Sequence, residues 1–402
     1  MQRLGGLHIV VGVAGSVAAY RAADVVRDLR ALGASVRVAP TKGAQAFVTP
    51  LLFEALSGQP CLTTSLDIDH GKIPHVEEAY RAAAVVVAPA SADVLAKMAA
   101  GFADEAILSL LLSFTGPVLV APAMETHMWA HPATQQNIAT LRSRGVVVVG
   151  PVSGPLASGR TGSGRLADVA DIVAAVVDAV VAKDLAGVRA LVTAGPTAEA
   201  IDPVRAITNR SSGKMGLAVA HELALRGAVV DVVHGPLKVA PPRGARTTAI
   251  AVTSAQQMAG AVFARVDVDA YDVAVCAAAV ADFTPSSPAA HKIKKGDGPP
   301  PTITLVPTVD ILKTLGAHPR RPRVLVGFAA ETQNVEANAE KKRREKNCTF
   351  VVGNDVSEAG VGFDVDDNRV YFAAAAPRWL DKMTKADTAR AIVDEIAAAL
   401  RT

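Results

Sequence analysis

The 402-residue chain is expected to fold as α/β, in two doubly wound domains with mainly parallel sheets. Three observations predict this. Apolar runs such as LHIVVGVAG, AVVVAPA and RVLVGFAA are continuous rather than alternating, the pattern of strands covered on both faces. Such a run ends in glycine, passes into an amphipathic helix and is followed by another Val-rich run, a βαβ opening. The opening occurs twice, near the start of each half, and the length accommodates two ordinary domains.

In order along the chain, LHIVVGVAG is the first strand. Its helix carries Ala22, Val25, Val26, Leu29 and Leu32 on one face, and Gly33 stops it before the strand SVRVAP. AVVVAPA, PVLVAPA and GVVVVGP continue the first sheet. A helix from about Asp168 to Ala182 leads to a link near VAKDLAGVRA, so the domains are expected at 1–185 and 186–402. RALVTAG opens the second domain. The long loop TAGPTAEAIDPVRAITNRSSGKMG follows, then a helix with Met215, Ala218, Val219 and Leu223 on one face, ended by Gly227. AVVDVVHG, YDVAVCAAA, RVLVGFAA and TFVVGN complete the sheet. Ligands in such folds bind beyond the carboxyl ends of the strands.

Half the residues are hydrophobic and a fifth charged, which excludes a disordered chain. A net charge of +3 and 4% aromatics argue against nucleic acid as a partner. The three cysteines, Cys61, Cys276 and Cys348, are far apart and form no disulfide framework, which suits a reducing cytoplasm. The N-terminus has a basic start and an apolar middle, but His8 and glycines interrupt it and an amphipathic helix follows directly, unlike a signal peptide. No run approaches the length needed to span a membrane.

Three strand-end loops of the first half, VAGSVAAY, APASAD and APAMETHMW, carry small polar residues. Gly15 and Ser16 open a helix whose N–H groups suit a phosphate, and Ala90 and Ser91 let a flat ring approach the backbone. Ordinary strand-to-helix turns have the same pattern. His75, in KIPHVEEAY, follows Pro74 at a helix start, and a single histidine is more often structural than catalytic. Together, GSVAAY, PHVEEA, APASADVLAKMAAG and PAM..MW resemble the homo-oligomeric flavin-containing cysteine decarboxylases, in particular phosphopantothenoylcysteine decarboxylase, over essentially the first 170 residues. The resemblance implies a flavodoxin-like flavoprotein domain with FMN at Gly15, Ser16, Thr41, Phe47, Ala90, Ser91 and Met124, and His75 as active-site base. It also implies that the substrate thiol is oxidised to a thioaldehyde, so that CO2 loss leaves a stabilised enethiolate. Two positions depart from the family. Glu125 stands where an Asn usually helps hold the substrate carboxylate; it must be protonated, turned away or replaced in role by His127. Ser158, in LASGRTG, stands where a Cys often donates a proton to the enethiol, and its hydroxyl is far less acidic than a thiol.

In the second half, NRSSGKMG opens a helix but is no Walker A loop: Thr208 replaces the first Gly, and Met215 follows the Lys. It is either a solvated loop capped by Ser212 or a phosphate site built from the N–H groups of Ser211, Ser212, Gly213, Lys214, Met215 and Gly216. TAGPT, IDPVR, SSGKMG, AAAVADF, HKIKK and GFAAET resemble, in that order, the CTP-dependent phosphopantothenate–cysteine ligases over residues 187–355. The resemblance implies a Rossmann-like CTP-binding ligase domain. Asn209 would hold the acyl-cytidylate; Cys276, Ala277, Ala278 and Phe328 would contact cytidine. Asp282, Lys292, Val309, Asp310, Ile311, Leu312, Lys342 and Lys346 match other nucleotide positions. Lysines and Mg2+ would neutralise the developing charge, the metal held mainly through CTP phosphates with Asp282 a candidate ligand.

HKIKKGDGPP reads as a cover over that site, or as a plain charged loop. EKKRREKN reads as a helix end, because Glu340 and Glu345 interrupt the positive run. Cys276, in a Val/Ala strand, is expected to be inert. Together the halves resemble the bacterial bifunctional enzyme of coenzyme A biosynthesis: ligation of 4'-phosphopantothenate to L-cysteine, then decarboxylation to 4'-phosphopantetheine. The resemblance also implies a dodecamer of decarboxylase trimers and ligase dimers. The alternative is a flavin-binding regulatory protein of the same fold, against which His75 and the complete second half both argue.

Overall fold

A computed structural model describes residues 2–65, 72–242, 244–294, 302–355 and 367–401. The chain divides into two compact units, Met1–Val181 and Ala182–Thr402.

In the first unit, five parallel strands lie in the order Ser35–Pro40, His8–Val13, Ala84–Ala90, Val118–Pro122 and Val147–Val148. Every residue of His8–Val13 is buried, because its alternate side chains feed two different cores. Val11 and Val13 pack with Val25, Leu29, Ile172 and Val176, whereas Val10 packs with Val87, Leu95, Ile107 and Ile138. That is the physical meaning of the unbroken apolar run. Strand order reverses at His8–Val13, so its loop and that of Ala84–Ala90 flank the crevice where ligands of such sheets bind.

Three details differ from expectation. Gly15 and Ser16 precede a 3₁₀ turn, Val17–Arg21, before the helix Ala22–Ala31 begins. The run GVVVVGP forms only the short edge strand Val147–Val148. After it comes an antiparallel hairpin, Val152–Pro155 with Thr161–Arg165, which no apolar pattern announced. The helix Val169–Val180 closes the unit.

The second unit has eight strands in the order Thr247–Ala251, Val229–His234, Arg189–Ala194, Val273–Cys276, Val324–Glu331, Phe350–Asp355, Val370–Ala373 and Arg378–Trp379. The first six are parallel and the last two antiparallel. Helices Lys214–Leu225 and Lys385–Arg401 supply one core, with Val219, Leu223, Ile392 and Ile396 against Val192, Val275 and Val326. Helices Ala255–Val268, Ile311–Gly316 and Val335–Glu345 supply the other. Helix Lys214–Leu225 is therefore buried beyond the single face expected: Gly216, Leu217, Val219, Ala220, Glu222, Leu223 and Leu225 are all inside. Its long preceding loop also holds a short hairpin, Ala198–Ala200 with Ala206–Thr208. Strand order reverses at Arg189–Ala194, which places a crevice beside the ends of that strand and Val273–Cys276.

Candidate functional site

That crevice holds a cavity of about 720 Å³. It brings together Asn209, the segment 211–216, Cys276, Ala277, Ala278, Asp282, the segment 309–312, Phe328, Lys342 and Lys346. Asn209 follows the strand Ala206–Thr208 directly, and its Nδ2 donates to the carbonyls of Ala279 at 3.1 Å and Val280 at 3.3 Å. Gly213, not Ser212, caps the helix. Its φ of +80° is a left-handed backbone, and a Cβ there would lie 2.3 Å from Leu237. Ser211 Oγ accepts from the Gly213 N–H at 3.3 Å, and Ser212 is buried. Gly216 sits so close to the strand end that a Cβ would come 2.9 Å from that of Ala194. The helix start thus faces the cavity with N–H groups that have no acceptor within the helix.

Across the sheet, Lys342 donates to the Phe328 carbonyl at 2.6 Å. Burial, and then the charge of Lys346, lower its pKa. Lys346 pairs with Asp310 at 2.9 Å, and Asp310 caps the helix Ile311–Gly316 by accepting from the Lys313 N–H. Burial alone would raise the Asp310 pKa, but the bonds from Lys313 and Lys346 lower it. Burial pushes the Cys276 thiol up to about 12.

Lys292 is the exception among the expected residues: it is exposed and does not line the cavity. The adjoining Ile293 N–H is held by Asp202 at 3.1 Å, whose carboxylate also accepts from Val204 and Arg205, both at 2.8 Å. The stretch 295–300 of the expected cover lies outside the described residues. Thr193, Arg210, Asn354, Asn368 and Lys385 line the cavity too: the first three lie within quoted stretches but carry no assigned role, and the last two lie outside every quoted stretch. Thr193 and Asn354 stand at or near the ends of parallel strands, a position that could have singled them out. Asn368 and Lys385 come from segments without such a pattern. Among the described residues, no group of three or more His, Cys, Asp or Glu could hold a metal ion.

In the first unit, Gly15, Ser16, Thr41, Ala90 and Ser91 gather at the carboxyl ends of three neighbouring strands. Ser16, Thr41 and Ser91 each accept from a backbone N–H two or three residues on, at 3.2, 3.1 and 3.3 Å, so each caps the helical turn that follows its strand. Gly15 lies flush against Gly43, where a Cβ would come within 2.9 Å of the carbonyl carbon. Phe47 is 55% exposed, and the Met124 N–H is bound by the Gly164 carbonyl at 2.9 Å. His75 sits in the first turn of helix Pro74–Arg81, its Nδ1 buried without a partner among the described residues. Glu78 on the same helix, 1% exposed, binds His8 at 2.7 Å, Arg37 at 2.8 Å and Arg81 at 3.2 Å.

Glu125 is turned onto its own chain: it caps the helix Thr126–Ala130, accepting from the His127 N–H at 2.6 Å. Ser158 stands in the turn of the hairpin Val152–Pro155/Thr161–Arg165, exposed.

A doubly wound α/β unit with a crevice at its strand ends, followed by a second such unit with a donor-rich crevice, is the class these features define. Residues 1–181 match the flavoprotein family, and residues 185–400 match the C-terminal domain family of DNA/pantothenate metabolism flavoproteins. The chain is 46% identical over 384 residues to the coenzyme A biosynthesis bifunctional protein CoaBC of Mycobacterium tuberculosis, covering 92% of this chain and 90% of that one. It is 42% identical over 402 residues to CoaBC of Bacillus subtilis, covering 98% of each. A crystal structure of the C-terminal domain of a CoaBC protein is 41% identical, with a TM-score of 0.46, and covers 55% of this chain and 99% of that domain.

The chain belongs to the CoaBC family of bifunctional coenzyme A biosynthesis proteins. It is an enzyme with phosphopantothenoylcysteine decarboxylase and phosphopantothenate–cysteine ligase activities. No helix among its described residues is long and apolar enough to cross a membrane.

Proposed function

We propose that the cavity of the second unit activates 4'-phosphopantothenate with CTP and that the site around His75 then removes the cysteine carboxyl group. One observation carries the first half: Asn209, the helix-opening segment 211–216 and two lysines from another helix converge on a single cavity. A carboxylate resists attack by an amine until one oxygen becomes a good leaving group, and a cytidylate provides that. In this reading the N–H groups of segment 211–216 receive phosphate oxygens, while Lys342 and Lys346 offset the charge released with pyrophosphate. The backbone at Cys276, Ala277 and Ala278, with Phe328, borders the cytidine. The Asn209 amide, already aimed at the Ala279 and Val280 carbonyls, orients the acyl-cytidylate while the amine of cysteine attacks. Asp282 is the lining carboxylate available to Mg2+ bound chiefly by the phosphates. Lys292 would act only by approaching from the rim.

The first unit suits FMN. Gly15 lets its loop pack flush on that of Gly43 at the strand ends, Ala90 is small, and the buried Nδ1 of His75 lacks a partner among the described residues. When bound, FMN supplies a reversible two-electron acceptor for the substrate thiol, which makes loss of CO2 feasible. Gly15, Ser16, Thr41 and Ser91 would hold its phosphate and ring edge, with Phe47, Ala90 and Met124 bordering the ring. His75 would take the thiol proton. Glu125, committed to its helix cap, leaves recognition of the substrate carboxylate to other groups, and Ser158 lies on the hairpin that would have to approach the product.

Exposed apolar side chains, Leu51, Tyr80 and Leu112 in the first unit and Val204 and Phe283 in the second, are available for contacts between copies, and the family resemblance supports the reading of decarboxylase trimers and ligase dimers combined into a dodecamer. Three free cysteines support a cytoplasmic setting.

The purified protein should be yellow. With 4'-phosphopantothenate, cysteine, CTP and Mg2+ it should release CMP, pyrophosphate and CO2. Asn209→Ala is expected to cut ligation by about 100-fold or more and leave decarboxylation of supplied phosphopantothenoylcysteine intact. His75→Asn should do the reverse, by about 100-fold or more. Loss of both activities by either folded variant would refute this division of labour.

A further inference from the structure

Asn368 is 4% exposed and lines the cavity of the second unit, far along the chain from every recognised motif. Its Oδ1 accepts from the Arg369 N–H at 3.1 Å. Among the described residues, its Nδ2 meets only the thioether sulfur of Met215, at 3.8 Å. Sulfur is a weak acceptor and an amide nitrogen carries two hydrogens, so a buried donor is left underused on the cavity wall. Natural interiors rarely tolerate that unless another acceptor arrives.

Met215 belongs to the first turn of helix Lys214–Leu225, so the Asn368 amide lines the same cavity as that helix start and touches one of its side chains. Lys385, 8% exposed and the first residue of helix Lys385–Arg401, lines the same cavity. The cavity as a whole is lined by five basic residues and two acidic ones, and Asp310, one of the acidic pair, is already engaged by Lys346. Buried amide donor, ammonium and helix start together form a wall for a polyanion.

We propose that Asn368 and Lys385 bind phosphoryl oxygens of the nucleoside triphosphate, completing the phosphate site that segment 211–216 begins. The proposal rests on the CTP reading above and adds two binding residues to it. Both act on binding of the nucleotide and not on the attacking amine, so their removal separates the Michaelis constants of the two substrates.

The test uses the full-length, flavin-loaded enzyme carrying Asn368→Asp, Lys385→Gln or Lys385→Arg, with CMP release followed at varied CTP and varied cysteine. Asn368→Asp keeps the shape, removes the donor and adds a negative charge. It and Lys385→Gln are expected to raise KM for CTP about tenfold or more while KM for cysteine stays within about twofold, the scale of a lost charge-assisted hydrogen bond. Lys385→Arg, which keeps the charge, should stay within about threefold of wild type. Decarboxylation of supplied phosphopantothenoylcysteine should be unchanged throughout.

An unchanged KM for CTP in both disruptive variants, or an equal rise for CTP and cysteine, overturns the proposal. Should Lys385→Gln melt the second unit, the near-isosteric Asn368→Asp decides alone. A wild-type enzyme that releases no CMP from CTP overturns the nucleotide reading itself and this proposal with it. A wild type that does, alongside indifferent variants, overturns only the roles of Asn368 and Lys385.

Discussion

Cys276 lines a cavity between a strand end and two lysines, a setting that could be mistaken for that of a nucleophile. Burial pushes its thiol up to about 12, and does the same to Cys61, while Cys348 rises to about 11. The reactive thiolate is therefore scarce at neutral pH. Alkylation of the native protein by iodoacetamide at pH 8 should be slow at all three positions and rise only as pH climbs towards those values; mass spectrometry of timed samples would show it. Glu78 presents the opposite sign. Burial would raise its pKa, but hydrogen bonds from His8 and Arg37 and the Arg37 charge lower it below 4.5. A carboxylate depressed in the folded state stabilises fully above its unfolded value and loses that contribution as pH falls through the folded one. The first unit should thus lose stability on acidification below about pH 4.5. Glu78→Gln should be less stable at pH 7 and show a flatter acid limb in circular dichroism, since it leaves Arg37 and His8 unpaired at every pH.

Helix Lys214–Leu225 shows how an element is seated by what it lacks. Gly213 adopts φ +80°, and Gly216 lies where a methyl group would meet the side chain of Ala194 and the carbonyl of Thr193. Together they let the helix start press onto the strand end and aim its N–H groups into the cavity. Gly216→Ala should force the helix start outward and cost the second unit about 1–3 kcal/mol. A calorimetric scan should show that loss without a change in the melting of the first unit. The helix Pro74–Arg81 is seated differently, by charge: Glu78, one turn beyond His75, ties it to the strands through His8 and Arg37. Apolar periodicity had announced neither device, because a glycine and a buried carboxylate carry no helical or strand period.

Across the whole molecule, two compact units each fold around their own pair of cores and each carries one crevice at a reversal of strand order. Such independence predicts complementation. An equimolar mixture of the His75→Asn and Asn209→Ala chains should regain CO2 release from 4'-phosphopantothenate, cysteine and CTP, because each chain retains the unit the other has lost. Single variants should remain blocked in the coupled assay.

The amino-acid order alone specified the two α/β halves, their parallel strands and the loops at the strand ends. Those features are written locally, in unbroken apolar runs, three-and-four spacing and glycine stops. It also pointed to Asn209, the segment 211–216, Lys342 and Lys346, which the fold gathers around one cavity. Three-dimensional packing settled the rest. It turned Glu125 onto its own helix, left Lys292 on the surface, and brought Asn368 and Lys385 to a wall they share with Met215. A side chain's direction and the meeting of segments more than a hundred residues apart depend on how whole elements pack, and no local period encodes that.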